Sequence, residues 1–301
     1  MQKGRNLIEA VSTKKKELYL LDASSYIYRA FHALPKFTTK EGFPTGAIYG
    51  FARMLLSLLK KKDVKYMAVC FDSKAPTFRH KQFADYKKNR PPMPDDLSLQ
   101  LPKINQLVDA FRLKCFRLDG YEADDILATL AWKFKDDFDK ILIITSDKDM
   151  FQVVDDKINV LNSSKKENIL NPEAVKEKFG VYPEKVTDLL ALIGDSVDNI
   201  LGVSGIGEKT ARVLLDEFGS LEDVLVSTDK IKDKRISDSL KLNSSLALNN
   251  KKLLILDKNV PVEVSAKELE VKTSDWQSLS RIFEELQFKK FAKEFQPTLF
   301  S

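Results

Sequence analysis

Four short apolar runs in this chain each end in an acidic residue, and this feature constrains the fold more than any other. The runs are Leu18 to Asp22, Tyr66 to Asp72, Cys115 to Glu122 and Ile141 to Asp147. Helix-like stretches separate them, which predicts strands of a parallel sheet that is buried on both faces. Because ligands of such sheets bind at the carboxyl ends of the strands, we expect the acidic residues to meet at one edge.

Nine acidic residues lie where predicted strands end or predicted helices begin. One or two of them could be helix caps or turn residues, but nine in this placement predict a metal centre. Close carboxylates repel one another, and hard divalent cations with oxygen ligands neutralise them. We expect two Mg²⁺ or Mn²⁺ ions, which together would stabilise both the attacking and the leaving oxygen of a phosphodiester. The nine residues are Asp22, Asp72, Glu122, Asp124, Asp125, Asp147, Asp149, Asp195 and Asp198.

Composition places the chain among globular, reduced proteins. Its 301 residues are 43% hydrophobic and 31% charged, and no apolar stretch approaches the length that spans a bilayer. The first seventeen residues lack the apolar core of a signal peptide, and the two cysteines lie inside predicted strands. We therefore expect a cytoplasmic protein. The net charge of +5 is compatible with a polyanionic partner such as DNA or RNA, although a solvated basic surface would explain it equally well.

The pattern along the chain predicts an α/β fold with a mostly parallel central sheet flanked by helices, followed by a helical part. Helical periodicity is clearest over residues 47–60, 101–111 and 123–134. A last helix is predicted to begin at Ser274, with Gln277 in capping-box register. The predicted parts are a flexible basic tail (1–17), an α/β core (18–185) with a basic arch (74–103), a helical DNA-binding part (186–295) with a hairpin of helices (194–215), and a terminal tail (296–301).

Residues 74–103 interrupt the alternation of strands and helices. Six basic side chains and three aromatic rings alternate between Lys74 and Arg90, and the run from Pro91 to Pro94 forbids a continuous helix. A basic, aromatic segment directly after the acidic residue Asp72 predicts a clamp for a phosphate backbone or a channel for a single strand. The alternative is a pair of amphipathic helices facing solvent.

The segment from Gly202 to Arg212 is rich in glycine and lies between two predicted helices. Gly205 and Gly207 would let the backbone approach a ligand, and the next helix would begin with free amide groups. This arrangement binds a DNA phosphate without reading a base. Asp195 and Asp198, just before it, are spaced about one helical turn apart, so both are predicted to face one site.

These residues carry a family resemblance. The segments LDASSYIYRAFHALP, FDSKAPTFRHKQFADYKKNRPPMPDDL, GYEADD, TSDKDMFQVV, LIGDSVDNILGVSGIGEKTA and LQFKKF resemble the 5′-nuclease domain of bacterial DNA polymerase I. That group is related to phage 5′-exonucleases and to flap endonucleases. The resemblance extends from Leu18 to Phe291, nearly the whole chain. It implies a metal-dependent 5′→3′ exonuclease and 5′-flap endonuclease that acts on branched, nicked or 5′-flap DNA, RNA-primed or not, during replication and repair.

The resemblance also implies roles for individual residues. The nine acids match the family's metal-site acids, and catalysis is expected to depend on Lys87, Arg90 and Asp147. Tyr86, Lys87 and Arg90 match the helical-arch motif, in which the lysine and the arginine contact the scissile phosphate. Further DNA contacts, and a K⁺ ion at the helix-hairpin-helix, are implied for positions in the first helix, the arch and the hairpin. These positions are Arg29, Arg79, Gly205, Gly207, Lys209 and Thr210.

The end of the chain carries a second resemblance. Gln296, Leu299 and Phe300 form a Gln-x-x-Leu-Phe pattern like the peptide by which bacterial replication proteins bind the sliding clamp. The alternative is that Leu299 and Phe300 pack on the protein's own core. No polymerase module follows the nuclease motifs, so the chain is either a free-standing nuclease or the amino-terminal part of something longer. We expect the free-standing form, and we expect a monomer.

Three other functions fit less well. A phosphatase of the haloacid-dehalogenase type needs a second Asp two residues after the first, but Ala23 and Ser24 follow Asp22. A DNA-binding protein without catalysis would not need all nine acids. A ribonuclease of the related PIN class would not explain the long basic arch or the GVSGIGEKTA segment, both of which favour DNA junctions.

Overall fold

A six-stranded sheet forms the centre of the computed structural model, which describes residues 15–62, 64–162, 168–289 and 291. The strand order is β3-β2-β1-β4-β5-β6, and every neighbouring pair is parallel except β5 and β6. The predicted mostly parallel sheet is therefore confirmed. Its strands are β1 (Glu17–Asp22), β2 (Tyr66–Cys70), β3 (Lys114–Phe116), β4 (Lys140–Ile144), β5 (Ile158–Asn162) and β6 (Asn168–Leu170).

Helices cover both faces of the sheet, so β1 and β4 in its middle bury nearly every side chain. One apolar core contains α1, α2, α5 and α13, and the other contains α6, α8 and α12. The helices are α1 (Ala23–Ala33), α2 (Gly46–Lys62), α3 (Phe78–Gln82), α4 (Asp95–Ser98), α5 (Leu101–Ala110), α6 (Ala123–Lys133), α7 (Pro172–Phe179), α8 (Val186–Ile193), α9 (Glu208–Phe218), α10 (Leu221–Val226), α11 (Lys234–Leu242), α12 (Ser244–Leu254) and α13 (Trp276–Glu285).

The third predicted strand is much shorter than expected. β3 ends at Phe116, and the chain then turns through Gly120, whose φ of 91° suits glycine, before α6 begins. Glu122 therefore caps a helix and does not end a strand. The prediction extended the strand too far because Leu118 and Tyr121 are apolar, although the Asp119-Gly120 pair between them forms a turn.

The segment around Asp195 also differs from the prediction. Asp195 and Asp198 were expected one helical turn apart, but α8 ends at Ile193. Gly194–Asp195 (β7) and Ile200–Leu201 (β8) then pair as short antiparallel strands. Gly194 has a φ of 78°, and a Cβ there would lie 2.3 Å from the backbone nitrogen of Gly202. This close approach ends the helix and turns the chain into a tight loop.

The basic segment contains two short helices, α3 and α4, with turns between them. The last helix, α13, starts at Trp276 after an Asp275 cap, so the cap lies one residue after the predicted Ser274. Leu279, Ile282 and Phe283 are buried on its inner side. Among the described residues, no helix has both the length and the apolar character needed to cross a membrane.

Candidate metal centre and DNA-binding site

The strand ends place the acidic residues at one edge of the sheet. Asp22 ends β1 and caps α1, where it accepts hydrogen bonds from the Ser25 amide at 3.0 Å and the Thr145 hydroxyl at 2.7 Å. Asp72 follows β2 and accepts from the Ala123 amide at the start of α6. Asp147 follows β4 and accepts from the Asp149 amide. The predicted convergence of carboxylates is therefore present.

Three further carboxylates form a compact group beside them. One oxygen each from Asp149, Asp195 and Asp198 lie within 4.8 Å of one another, and Asp195 and Asp198 are buried. Within the described parts of the chain, one buried oxygen of Asp149 and one of Asp124 have no hydrogen-bond partner. Unsatisfied buried carboxylate oxygens are costly, and they are also the ligands that hard divalent cations select.

Burial and mutual repulsion raise the pKa values of these groups. Burial, followed by the charge of Asp72, raises the pKa of Asp22 to about 7. Burial and the charge of Asp147 raise the pKa values of Asp124 and Asp149 well above the ordinary value. Ionised carboxylates held this closely need positive charge nearby. The donor set, the unsatisfied oxygens and the raised pKa values all fit divalent metal ions.

Basic side chains border the carboxylates. Lys87 Nζ lies 2.7 Å from Glu122 Oε1 and 3.8 Å from Asp198 Oδ2. Arg90 Nη2 lies 2.5 Å from the other oxygen of Asp198. Tyr86 is buried, and its hydroxyl is 3.1 Å from oxygens of both Glu122 and Asp198. Polar contacts of three side chains thus join the base of the arch to the acidic centre.

The glycine-rich segment has an open backbone. Gly205 adopts a φ of 77°, Gly207 caps α9, and a Cβ at either position would meet nothing within 4 Å. Lys209 and Thr210 lie in the first turn of α9, and Lys209 is exposed. The segment therefore presents amide groups and a lysine at a helix start, which suits a phosphate.

Comparison with known proteins identifies the family. The model for the 5′-3′ exonuclease N-terminal resolvase-like domain matches residues 17–180, and that for the C-terminal SAM fold matches residues 181–277. The chain belongs to the 5′-3′ exonuclease family. It is thus a nuclease, and its acidic cluster fits the use of divalent metal ions.

Individual relatives agree with this assignment. The chain is 42% identical to the 5′-3′ exonuclease of Aquifex aeolicus, over 93% of this chain and 95% of the relative. It is 39% identical to DNA polymerase I of Bacillus caldotenax, over 94% of this chain but 32% of the polymerase. A solved bacteriophage T5 flap endonuclease in a complex with DNA and metal ions shares the fold, with a TM-score of 0.68 and 22% identity over 93% of this chain and 97% of the phage protein.

Two residues predicted for the site contact each other inside the exonuclease. Arg79 is 1% exposed and Asp125 is fully buried, and the guanidinium donates to both carboxylate oxygens at 2.7 and 2.8 Å. Arg79 also donates to the carbonyl oxygens of Leu253 and Ile255. Arg79 was predicted to contact DNA, and Asp125 was predicted to bind a metal ion. In the structure these two side chains contact each other.

Arg29, also predicted to contact DNA, lies on α1 with its guanidinium 4.6 Å from the centre of the Tyr26 ring. Tyr28, two residues later on the chain than Tyr26, was not predicted. The residue is 38% exposed, and its ring stacks on that of His32. Burial raises the pKa of Tyr28, while the charges of Arg90 and Asp72 act on it in opposite directions. Tyr28 therefore borders the acidic centre and offers an exposed aromatic face.

Lys148 is a second residue that the sequence analysis missed. Its Nζ lies 3.0 Å from Asp195 Oδ2, so it neutralises part of the acidic group. The signal was its position between Asp147 and Asp149, where a lysine separates two predicted metal ligands. Small hydroxyl residues were missed in the same way: Ser24 accepts a hydrogen bond from the Asp72 amide, and Ser25 pairs with Ser146.

Proposed function

We propose that this exonuclease is a structure-specific 5′→3′ exonuclease and 5′-flap endonuclease that removes primers and flaps during DNA replication and repair. The proposal depends most on one observation: Lys87 and Arg90 of the basic arch contact carboxylates of the acidic centre, Glu122 and Asp198. Relatives that share the family or fold include 5′-3′ exonucleases and a flap endonuclease with bound DNA and metal ions.

Two groups of carboxylates would hold two divalent ions, Mg²⁺ in the first instance. Asp149, Asp195 and Asp198 would hold one ion. Asp22, Asp72, Asp124 and Asp147, whose charges act on one another, would hold the second. When bound, such ions stabilise the attacking and leaving oxygens of a phosphodiester.

The chain's own basic groups have a separate task. Lys87 and Arg90 already contact acids of the centre, so a scissile phosphate held there would lie within their reach. Their positive charges would offset the negative charge that develops on the phosphate oxygens. The exposed ring of Tyr28 would stack on a terminal base at the mouth of the same site.

The glycine-rich segment would hold the duplex. Amide groups at the start of α9 and the side chains of Lys209 and Thr210 would bind the phosphate backbone without reading sequence. Carbonyl groups of the loop around Gly205 would bind K⁺ against the same backbone. In this proposal the helical part binds the duplex, and the residues at the edge of the sheet cleave the phosphodiester.

Cleavage of a 5′-labelled double-flap DNA with Mg²⁺ tests the proposal. The wild-type protein should cut near the junction, and Asp147→Asn should lower the rate by roughly 10²-fold or more, because it removes a carboxylate that would hold the second divalent ion. Asp136→Asn is the matched control, since that carboxylate is fully exposed and lies beyond the end of α6. Tight flap binding without any cut by the wild type would overturn the proposal.

We also propose that residues 296–301, which lie outside the described residues, bind a sliding clamp as a short peptide. Leu299 and Phe300 would enter an apolar pocket, and Gln296 would supply a polar contact. Deleting residues 296–301 should abolish clamp binding and leave cleavage of naked flap DNA at the wild-type rate. Unchanged clamp affinity after the deletion would reject this partner. The exonuclease itself is proposed to act as a monomer.

A further inference from the structure

Two loops run side by side, and one carries basic groups of the site while the other carries acidic groups. The arch segment 85–90 carries Lys87 and Arg90, and the loop 195–199 carries Asp195 and Asp198. Three hydrogen bonds join the two loops, and in two of them the donor is the side-chain amide of an asparagine. The bonds are Asn199 Nδ2 to the Asp85 carbonyl (2.7 Å), the Lys87 amide to the Asp198 carbonyl (3.0 Å), and Asn89 Nδ2 to the Ser196 carbonyl (2.7 Å).

Backbone conformation shows that this contact is specific. Lys87 and Asn199 both have positive φ, at 56° and 59°, and non-glycine residues rarely adopt this region. Asn199 tolerates it better than most residues, but Lys87 does not belong to the tolerant types. Surrounding contacts must therefore hold Lys87 in place. The two asparagine amides flank the Lys87 bond on either side, so they are the groups placed to do this.

We infer that Asn89 and Asn199 are positioning residues that set where Lys87 and Arg90 stand relative to Asp198. We call these three hydrogen bonds the asparagine clasp. The clasp fixes the backbone of residue 87, and the side chain then reaches Glu122 at 2.7 Å. Arg90 follows one residue after Asn89 and reaches Asp198 at 2.5 Å. The clasp thus links the arch to the loop that holds two carboxylates of the proposed metal centre.

This linkage has a consequence for catalysis, which rests on the proposed function. Catalytic groups must be held close to their productive geometry, and small displacements are costly in rate. Without the clasp, Lys87 and Arg90 would keep their charges but lose their fixed position. The rate of the chemical step should then fall while binding of the DNA, which depends mainly on the duplex contacts, stays nearly unchanged.

Hydrogen exchange tests the clasp directly, without any need for cleavage. The Lys87 amide is a clasp donor, so its exchange should be slow in the wild type and faster by about 5-fold in Asn89→Ala and in Asn199→Gly, as expected for one lost hydrogen bond. Glycine is chosen at 199 because it tolerates the positive φ while it removes the side-chain amide. Asn259→Ala, at an exposed asparagine elsewhere, is the matched control and should leave this exchange unchanged. Unchanged exchange in both clasp variants would overturn the inference.

Single-turnover cleavage of a 5′-flap DNA tests the positioning role. Each clasp variant should cut about 5-fold more slowly with Mg²⁺, and its affinity for the same DNA, measured with Ca²⁺ in place of Mg²⁺, should stay within about 2-fold. In a Lys87→Ala/Arg90→Ala background, adding Asn199→Gly should cost almost nothing further, because the groups that the clasp positions are gone. An equal additional loss in that background would show a general structural effect and reject the positioning role.

The two experiments also separate this inference from the proposed function. If the wild-type protein does not cut flap DNA, the proposed function fails, and the catalytic half of the inference fails with it. Exchange at Lys87 would still show whether the asparagines hold the arch. A third outcome is that exchange at Lys87 becomes faster and cleavage slower, but weaker DNA binding accounts for the whole loss of rate. The clasp then holds a DNA-binding element, and the positioning role is overturned.

Discussion

Arg79 and Asp125 form a buried, bidentate ion pair with both N–O distances below 3 Å. The pair and its hydrogen bonds join three parts of the chain. Arg79 lies on α3, and Asp125 lies on α6. The third part is the end of α12, where the carbonyl oxygens of Leu253 and of the capping residue Ile255 accept from Arg79. The Asp257 amide also donates to Asp125. This network positions the first turn of α6, which carries two of the predicted metal-site acids.

Breaking this pair should destabilise the fold more than it changes the chemistry. Arg79→Ala leaves a buried carboxylate without its partner, and such changes cost about 3–5 kcal/mol in the free energy of unfolding. Chemical denaturation of the variant and the wild type measures this loss. The control is Lys88→Ala, which removes the exposed pair with Asp85 and should leave the free energy of unfolding close to the wild-type value. Similar losses for the two variants would contradict the structural role of Arg79.

Stability should respond to pH and Mg²⁺ through the acidic centre. The pKa of Asp22 is raised to about 7, so in the folded state it keeps its proton at pH values where the unfolded chain has lost it. The folded state then binds more protons, and this contribution to stability is lost as pH rises from about 4 to 7. Mg²⁺ binds the ionised carboxylates, so its stabilising effect should grow over the same range.

Thermal unfolding measured with EDTA and with Mg²⁺ tests this dependence of stability on pH and on the ion. At pH 8, Mg²⁺ at 100 times its Kd should raise Tm by about 5 °C, whereas at pH 5 the shift should nearly vanish. Asp149→Asn removes one repelling charge, so it should raise the Tm measured in EDTA at pH 8 and reduce the Mg²⁺ response. A Mg²⁺ shift that does not depend on pH would show that the ion stabilises the protein elsewhere.

Binding and cleavage should separate at the hairpin. Lys209 is exposed at the start of α9, so Lys209→Ala should weaken flap DNA binding and lower the slope of log Kd against log salt by about 1. Cleavage at saturating DNA should stay close to the wild-type rate. Lys272→Ala, another exposed lysine, is the control and should leave the salt slope unchanged. A large fall in the saturated rate would instead assign Lys209 to the chemical step.

Periodicity predicted the sheet because β1, β2 and β4 are buried on both faces and their sequences are continuously apolar. The same reasoning predicted the meeting of carboxylates at the strand ends. It did not predict that Arg79 and Asp125 pair, because they are 46 positions apart and only tertiary structure brings them together. The loop around Asp195 was missed because backbone contact between Gly194 and Gly202, not side-chain pattern, ends α8.

The start of α13 is a local feature that the sequence predicted wrongly, and it offers a direct test. The sequence favoured Ser274 as the cap, but the Asp275 carboxylate accepts hydrogen bonds from the Ser278 amide and hydroxyl. Asp275→Ala should therefore lower the free energy of unfolding measurably, whereas Ser274→Ala should leave it close to the wild-type value. Chemical denaturation of the two variants measures both values. The charge of Asp275 near the helix start adds to the cap, so Asp275→Asn should fall between the wild type and Asp275→Ala. If Ser274→Ala were the more damaging change, α13 would begin where the sequence pattern placed it.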